Sequence, residues 1–388
     1  MRLVVVSHKP CWRSAASPSG YATDGGFPMQ MRALSELVDA TPVVVPCDAA
    51  GARAGEMPLT GHHLTVVPLR PPAGRGLRRK LLLPLWIARA LPVLARELRR
   101  ADAVHAPIPG DVGTVGLLLA LAMRKPLFVR HCGNWSVRVT AAERFWGWLL
   151  ERAAGGRTVV LTTGGAPEPP SSRNPELRWI FSTSVTRAEL QRYGTPRTAP
   201  HADGPRLVIT CRQEEKKGTG VVVRALPLLR ERFPGIRLDV VGDGVDLERF
   251  RRLAAELGVA DRVSFHGRVD HVGVVALLRR ADVFCFPTAA SEGFPKVVLE
   301  AMACGLPVVT TPVSVLPQLL AGGGGILIQR AAPAEVADAV RTCLATDAAY
   351  ARLSAAAVAT AGSYSLEAWR DTIGGHLSER WGPLRRHA

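Results

Sequence analysis

Residues 282–312, DVFCFPTAASEGFPKVVLEAMACGLPVVTTP, constrain the fold of this chain more than any other stretch. The apolar run Val283 to Phe286 reads as a short buried strand. A loop with Ser291, Glu292 and Gly293 follows, and Pro295 stands where a helix start tolerates a missing N–H. Val297, Val298, Leu299 and Met302 give that helix an inward face, and Gly305 suits a left-handed stop. Pro307 to Thr311 supplies a second strand. A strand–loop–helix–strand unit of this kind belongs to a parallel sheet.

Two carboxylates, Glu292 and Glu300, lie eight positions apart across the loop–helix junction. Glu292 stands on the loop and Glu300 about one and a half turns into the helix. The backbone N–H groups of Gly293, Phe294 and their neighbours open the helix, where an anion is favoured. A ligand with both phosphate and hydroxyl groups suits such an arrangement, although two glutamates at this spacing also arise by chance. Upstream, the strand Arg206–Cys211 runs into CRQEEKKG, with Arg212 and Lys217 separated by four residues and Gly218 next. A planar guanidinium and an ammonium beside a helix start form a natural diphosphate clamp, and the bland alternative is a solvated charged turn. LDVVGDG enters a Gly242–Asp243–Gly244 turn that lacks the spacing of a dinucleotide fingerprint.

The N-terminal half alternates strand-like and helix-like runs, the pattern of a doubly wound parallel sheet. Candidate strands are Leu3–Val6, Pro42–Pro46, Leu64–Pro68, Ala103–His105, Leu127–Arg130, Thr158–Leu161 and Trp179–Ser182. The segment SHKPCWRSAASPSGYATDGG reads as a long loop ending in Gly25 and Gly26, before a helical pattern from Met29 to Leu37. His105 and His131 each follow an apolar strand, where a ligand-facing residue would sit, and Asn134 and Trp135 just beyond could line a binding surface, the tryptophan offering a flat face to a ring. Residues 75–100 carry eight basic residues, one acid and many leucines, interrupted by Pro84 and Pro92. The segment reads either as a surface for anionic lipid headgroups or as a core-packed helix with a solvated arginine face. The run YGTPRTAPHADGP, residues 193–205, has the composition of an interdomain linker.

A net charge of +16 favours anionic partners, yet 43 of the 49 basic residues are arginine, a bias that genome composition alone can produce. No nucleic-acid motif accompanies the charge, so no nucleic-acid partner is expected. The chain runs from Met1 straight into an apolar strand, and no stretch reaches the roughly eighteen apolar residues of a spanning helix. Seven cysteines without a Cys-x-x-Cys spacing read as unpaired, which suggests a reducing cytoplasm.

Taken with their spacing, these stretches resemble the donor-site signature of the family 4 glycosyltransferases, retaining enzymes of the GT-B fold. The resemblance is close from about residue 206 to 330 and looser before it, and the Asn-Gly-Val-Asp run that many relatives carry before the linker is absent. It implies an α/β protein of two Rossmann-like doubly wound parallel-sheet domains facing a central cleft. The domains would be 1–192 on the acceptor side and 206–364 for the nucleotide sugar, with a final helix, 365–388, crossing back. In the family, Glu292 contacts the sugar, Glu300 holds the ribose, and Arg212 with Lys217 neutralises the diphosphate. Gly25 and Gly26 lie near the phosphates, and His131 serves the sugar or its leaving oxygen. Gly242 lines the site, Gly267 and Arg268 adjoin the base, and Gly293, Phe294 and Pro295 form the helix start at the phosphate.

The implied function is retaining transfer of a sugar from a nucleotide-diphosphate sugar to an unidentified acceptor: a lipid, a glycan or a small natural product. No cofactor or metal is expected, since no Asp-x-Asp box appears. The expected location is cytoplasmic, with the 75–100 segment available for peripheral contact with the inner face of an anionic membrane. A sugar-nucleotide epimerase of the same fold and a non-catalytic nucleotide-sugar-binding module are the alternatives.

Overall fold

Apolar strands alternating with helices produce, in the computed structural model, two α/β units: Met1–Phe181 with Glu367–Ala388, and Ser182–Leu366. The structure describes residues 1–48, 56–74, 76–138, 140–202, 204–290, 293–385 and 387.

The first unit contains β1 (Leu3–Val6), β2 (Cys11–Arg13), β3 (Tyr21–Asp24), α1 (Phe27–Ser35), β4 (Thr41–Asp48), β5 (Glu56–Pro58) and β6 (Leu64–Leu69). It continues with α2 (Gly76–Arg99), β7 (Ala103–Ile108), α3 (Asp111–Ala122), β8 (Leu127–His131), α4 (Ala141–Ala153), β9 (Thr158–Thr163) and β10 (Leu177–Ile180). Among the described residues one sheet runs β10-β9-β8-β7-β1-β4-β2-β3-β5, with β6 also paired to β4. Its central strands are parallel and buried along nearly their whole length, as near-continuous apolar runs require.

The segment read as one long loop after β1 instead holds β2 and β3, which pair antiparallel through Trp12 and Ala22. The short strands were hidden because no apolar alternation marks them. β2 also lies parallel to β4 with Cys11 opposite Cys47, and a disulfide joins those two residues. This corrects the reading of all seven cysteines as unpaired and removes the argument for a reducing compartment. No described helix is long and apolar enough to cross a membrane.

Helix α2 continues through Pro84 and Pro92, against the expected interruption. An interior proline costs about 3 kcal/mol or more. Trp86, Ala90, Leu94 and Leu98, spaced one turn apart, are all buried in the core of this unit. Burial of a leucine contributes about 1.5–3 kcal/mol, so the stripe offsets much of that cost.

The second unit contains α5 (Arg187–Tyr193), β11 (Arg206–Thr210), α6 (Thr219–Leu229), β12 (Arg237–Val241), α7 (Leu247–Glu256), β13 (Val263–Gly267), α8 (His271–Arg280) and β14 (Val283–Phe286). After these come α9 (Lys296–Ala303), β15 (Val308–Thr310), α10 (Leu316–Leu320), β16 (Gly325–Leu327), α11 (Pro333–Cys343) and α12 (Asp347–Gly362). The last helix, α13 (Leu366–Trp381), belongs to the first unit from Glu367 onward.

Residues 182–205 belong with the second unit, so the boundary falls before the expected linker. Arg197 explains the shift. Its guanidinium donates to the carbonyls of Leu278 (3.2 Å), Arg279 (3.0 Å), Ala281 and Cys304 (3.2 Å), and its N–H donates to Ser354 Oγ (2.9 Å). A segment of linker composition is thereby held along the second unit, with His201 adding a further tie to Asp282.

The second sheet is parallel, in the order β13-β12-β11-β14-β15-β16. Strand order reverses between β11 and β14, the place where open α/β sheets bind ligands.

Candidate active site

The residues singled out in the C-terminal half follow the carboxyl ends of four adjacent strands. Arg212 and Lys217 follow β11, Gly242 follows β12, Gly267 ends β13, and Gly293, Phe294 and Pro295 follow β14. The β11 and β14 loops therefore flank the strand-order reversal.

Backbone contacts hold these loops together. Gln213 N–H donates to Asp243 O (3.0 Å), and Gly242 N–H donates to Gly267 O (2.7 Å). Ala289 and Ala290 both donate to Lys216 O, at 2.8 and 3.1 Å, tying the β11 loop to the loop after β14. Such close approach requires glycine. A Cβ on Gly242, whose φ is +114°, would lie 1.9 Å from Cys211 O, and one on Gly218 would lie 2.4 Å from Pro287 O.

The side chain of Gln213 is fully buried. Its Nε2 donates to Cys211 O (3.1 Å) and Val241 O (3.0 Å), and its Oε1 accepts from Thr219 Oγ1 (2.8 Å). The residue was missed in the sequence because a glutamine among charged residues looks solvated. Its neighbour Arg212 is exposed, with Nη1 3.2 Å from Glu214 Oε1. Lys217 is half-buried and ends a short 3₁₀ turn before Gly218. Arg268 is exposed beside Gly267, whose φ is +62°.

Pro295 is the N-cap of α9, which therefore starts at Lys296, one residue after the expected start, and Phe294 is buried with its ring 5.8 Å from Tyr364. Ser314 Oγ donates to Gly293 O at 3.2 Å. Glu292 lies outside the described residues.

Glu300 is buried on α9 and accepts a hydrogen bond from Ser184 Oγ. His271 Nδ1 stands 3.8 Å from Glu300 Oε1, while its Nε2 lies 2.7 Å from Glu189 Oε1. The hydrogen bond with Glu189 raises the His271 pKa above its ordinary value, against burial, with help from the Glu300 charge. Burial pushes Glu189 upward, but hydrogen bonds from His271 and Thr186 outweigh it and leave its pKa lowered. Sequence reasoning missed Ser184, Glu189 and His271. The one legible signal was Thr186-x-x-Glu189, a capping box that the structure forms at α5.

In the first unit, His131 ends β8, and burial lowers its pKa to about 4, leaving the imidazole neutral near pH 7. It meets Trp135 edge to face at 5.2 Å. Trp135 is itself buried and donates Nε1–H to Pro170 O (2.8 Å), so it does not offer a face to a sugar. Asn134 Oδ1 accepts from Ser136 N–H (3.0 Å) and shapes a turn. His105 is wholly buried, stacked on Phe128, and lowered to about 3 by burial, which makes it a core residue. Gly25 adopts φ +65° and Gly26 caps α1. His8, at the end of β1, also belongs to this sheet edge and was not singled out. A Cβ on Gly110 would lie 2.1 Å from its Nδ1.

Residues 197–359 match the family model "Glycosyl transferases group 1". The chain is 34% identical over 335 residues to the GDP-mannose-dependent alpha-(1-6)-phosphatidylinositol monomannoside mannosyltransferase of Mycolicibacterium smegmatis, covering 79% of this chain and 85% of that protein. It is 36% identical over 211 residues to the phosphatidyl-myo-inositol mannosyltransferase of Mycobacterium leprae, covering 54% and 50% respectively. The crystal structure of Anabaena HepE in complex with UDP and glucose is similar in fold, with a TM-score of 0.70, 19% identity, and coverage of 98% of this chain and 100% of that one. The chain therefore belongs to the glycosyl transferases group 1, as a hexosyltransferase of GT-B fold that uses a nucleotide sugar.

Proposed function

We propose that the enzyme transfers mannose from GDP-mannose to an inositol-containing phospholipid, with retention of anomeric configuration. The observation that carries this reading is the convergence of the Arg212–Lys217 loop and the Gly293–Glu300 stretch at the strand-order reversal. The mannosyl donor and lipid acceptor are supported by the 34% identity to a relative named for both.

Arg212 and Lys217 meet the diphosphate, and the start of α9 at Gly293–Phe294–Pro295 adds its dipole. Preorganised donors of this kind are worth about 3–4 kcal/mol each to a transition state that builds charge on a leaving group. Glu300 holds the ribose, Gly242 lets the chain approach the donor, and Gly267–Arg268 adjoin the base. Glu292 meets the sugar. Within the first unit, His131 supplies a neutral imidazole and Gly25–Gly26 a tight turn. With two cationic side chains on the diphosphate, no metal is required. Retention follows when the acceptor hydroxyl attacks from the leaving-group face and the departing phosphate takes its proton.

Peripheral contact with an anionic membrane through residues 75–100 is part of the same reading. It is supported by Leu81 and Leu85, 81% and 50% exposed beside Arg78, Arg79 and Lys80.

The test is an assay of purified enzyme with GDP-mannose, UDP-glucose and GDP-glucose against a phosphatidylinositol mannoside in vesicles. Mannose transfer from GDP-mannose with an α linkage is the expected result. Donor consumption without any acceptor points instead to an epimerase.

A further inference from the structure

A cavity of about 560 Å³ opens in the first unit between α2 and the segment that follows β6. That volume is within the roughly 300–1,000 Å³ typical of ligand sites. Leu69, Trp86 and Ala90 form its buried floor, and Leu82 and Val93 its sides. The indole N–H of Trp86 donates to Arg70 O at 2.7 Å, so the floor's polar group is already satisfied. Apart from Arg70 and Arg89, no lining side chain offers a free polar group, so the wall suits neither a sugar nor an extended peptide. Hydrocarbon is what it fits.

Charge is confined to Arg70 and Arg89, both exposed members of the lining. Leu81, Leu85 and Arg89 follow one another at four-residue spacing along α2, so exposed leucines and a cation share one stripe beside the opening. An apolar chain with an anionic head complements both features. The head meets guanidinium groups that suit phosphate geometry, and the chain meets an apolar wall.

We propose that this cavity takes one acyl chain of an anionic phospholipid drawn from a bilayer, with Arg70 and Arg89 on its phosphate. None of its lining residues is among those assigned to the nucleotide sugar, and it rests on the lipid-acceptor reading only for its purpose. Its occupation lifts a lipid partly from the bilayer and holds its headgroup at the first unit.

The test uses the full chain and cis-parinaric acid, a fluorescent fatty acid, displaced by lysophosphatidylglycerol or by a monoacylglycerol, which lacks the phosphate. Emission should rise on binding, and lysophosphatidylglycerol should displace the probe at a concentration about tenfold lower, the factor set by charge-assisted contacts. Ala90→Phe, which fills the floor, should abolish the signal. Leu85→Trp plugs the opening from a half-exposed position, so it gives the same reading if the core variant fails to fold. Arg70→Ser with Arg89→Ser should erase the preference between the two lipids. Undiminished probe binding in folded Ala90→Phe and Leu85→Trp overturns the cavity assignment, and equal displacement by both lipids overturns the role of the arginines. A chain that binds GDP-mannose but no lipid probe sinks this proposal and leaves the transferase reading standing. A chain that binds the probe but transfers no sugar does the reverse.

Discussion

His271 Nε2 lies 2.7 Å from Glu189 Oε1, joining the start of α8 to the first turn of α5. The same ring faces the Glu300 carboxylate from its other nitrogen at 3.8 Å. Asp270, which caps α8, is the remaining charge acting on it. A raised histidine pKa contributes stability fully present below the unfolded value, about 6.5, and lost as pH rises through the folded value. The lowered Glu189 contributes above its unfolded value, about 4.5, and loses that as pH falls. The pair is therefore strongest between those limits. His271→Gln should lower the melting temperature by about 2–4 °C at pH 6, the equivalent of roughly 1 kcal/mol, and by much less at pH 9. Scanning calorimetry at the two pH values checks this, and an equal loss at both would show that shape rather than charge matters.

Arg212 shares an ion pair with Glu214 while both remain substantially exposed, at 74% and 40%. Exposed pairs contribute about 0–1 kcal/mol, so releasing the arginine for a diphosphate costs little. Glu214→Gln should therefore change the KM for GDP-mannose by less than about fivefold. On the proposed diphosphate role, Arg212→Ala should lower kcat/KM by about 10²-fold or more, the loss of a donor to developing charge. Steady-state kinetics separates these outcomes. A large defect in Glu214→Gln with little in Arg212→Ala would reverse the assignment.

Gly242 cannot accept a side chain without moving the β11 loop, because its Cβ would overlap Cys211 O at a φ of +114°. Gly242→Ala should cost about 2–4 kcal/mol from strain and overpacking together. The displaced Cys211 carries Arg212 with it, so nucleotide-sugar affinity should fall as well. Thermal shift with and without GDP-mannose reads both effects.

Much of this was legible because parallel strands and amphipathic helices follow short-range rules. Val283–Phe286 and the Gly305 stop appear where local pattern placed them, and on α9 Val298, Leu299 and Met302 are buried as expected while Val297 is only half-buried. The failures share a physical origin in long-range contacts. Cys11 and Cys47 meet only because β2 joins the sheet, and Gln213 is buried only because the loops after β11 and β12 close on each other. Arg197 reads as a linker residue until its carbonyl partners from α8 and the end of α9 are in place. Trp135 looks available for stacking in sequence, and its burial depends on a carbonyl 35 residues away. Local chemistry marked the candidate residues; the side chains that stiffen the loops around them were set by contacts the sequence order conceals.

Ser184 and Glu300 offer the sharpest separation of a supporting role from a binding one. Ser184 Oγ donates to Glu300 Oε1 within the second unit, and both residues are buried. If Glu300 holds the ribose, removing its charge weakens the donor directly. Glu300→Gln keeps the shape but not the acceptor pair, and should raise the KM for GDP-mannose by about tenfold, the cost of one charged hydrogen bond. Ser184→Ala leaves the carboxylate and loosens only its orientation, for a rise of about two- to threefold, corresponding to well under 1 kcal/mol. The double variant should lose no more than Glu300→Gln alone, because the serine acts through the carboxylate. Additive losses would show that Ser184 reaches the donor independently.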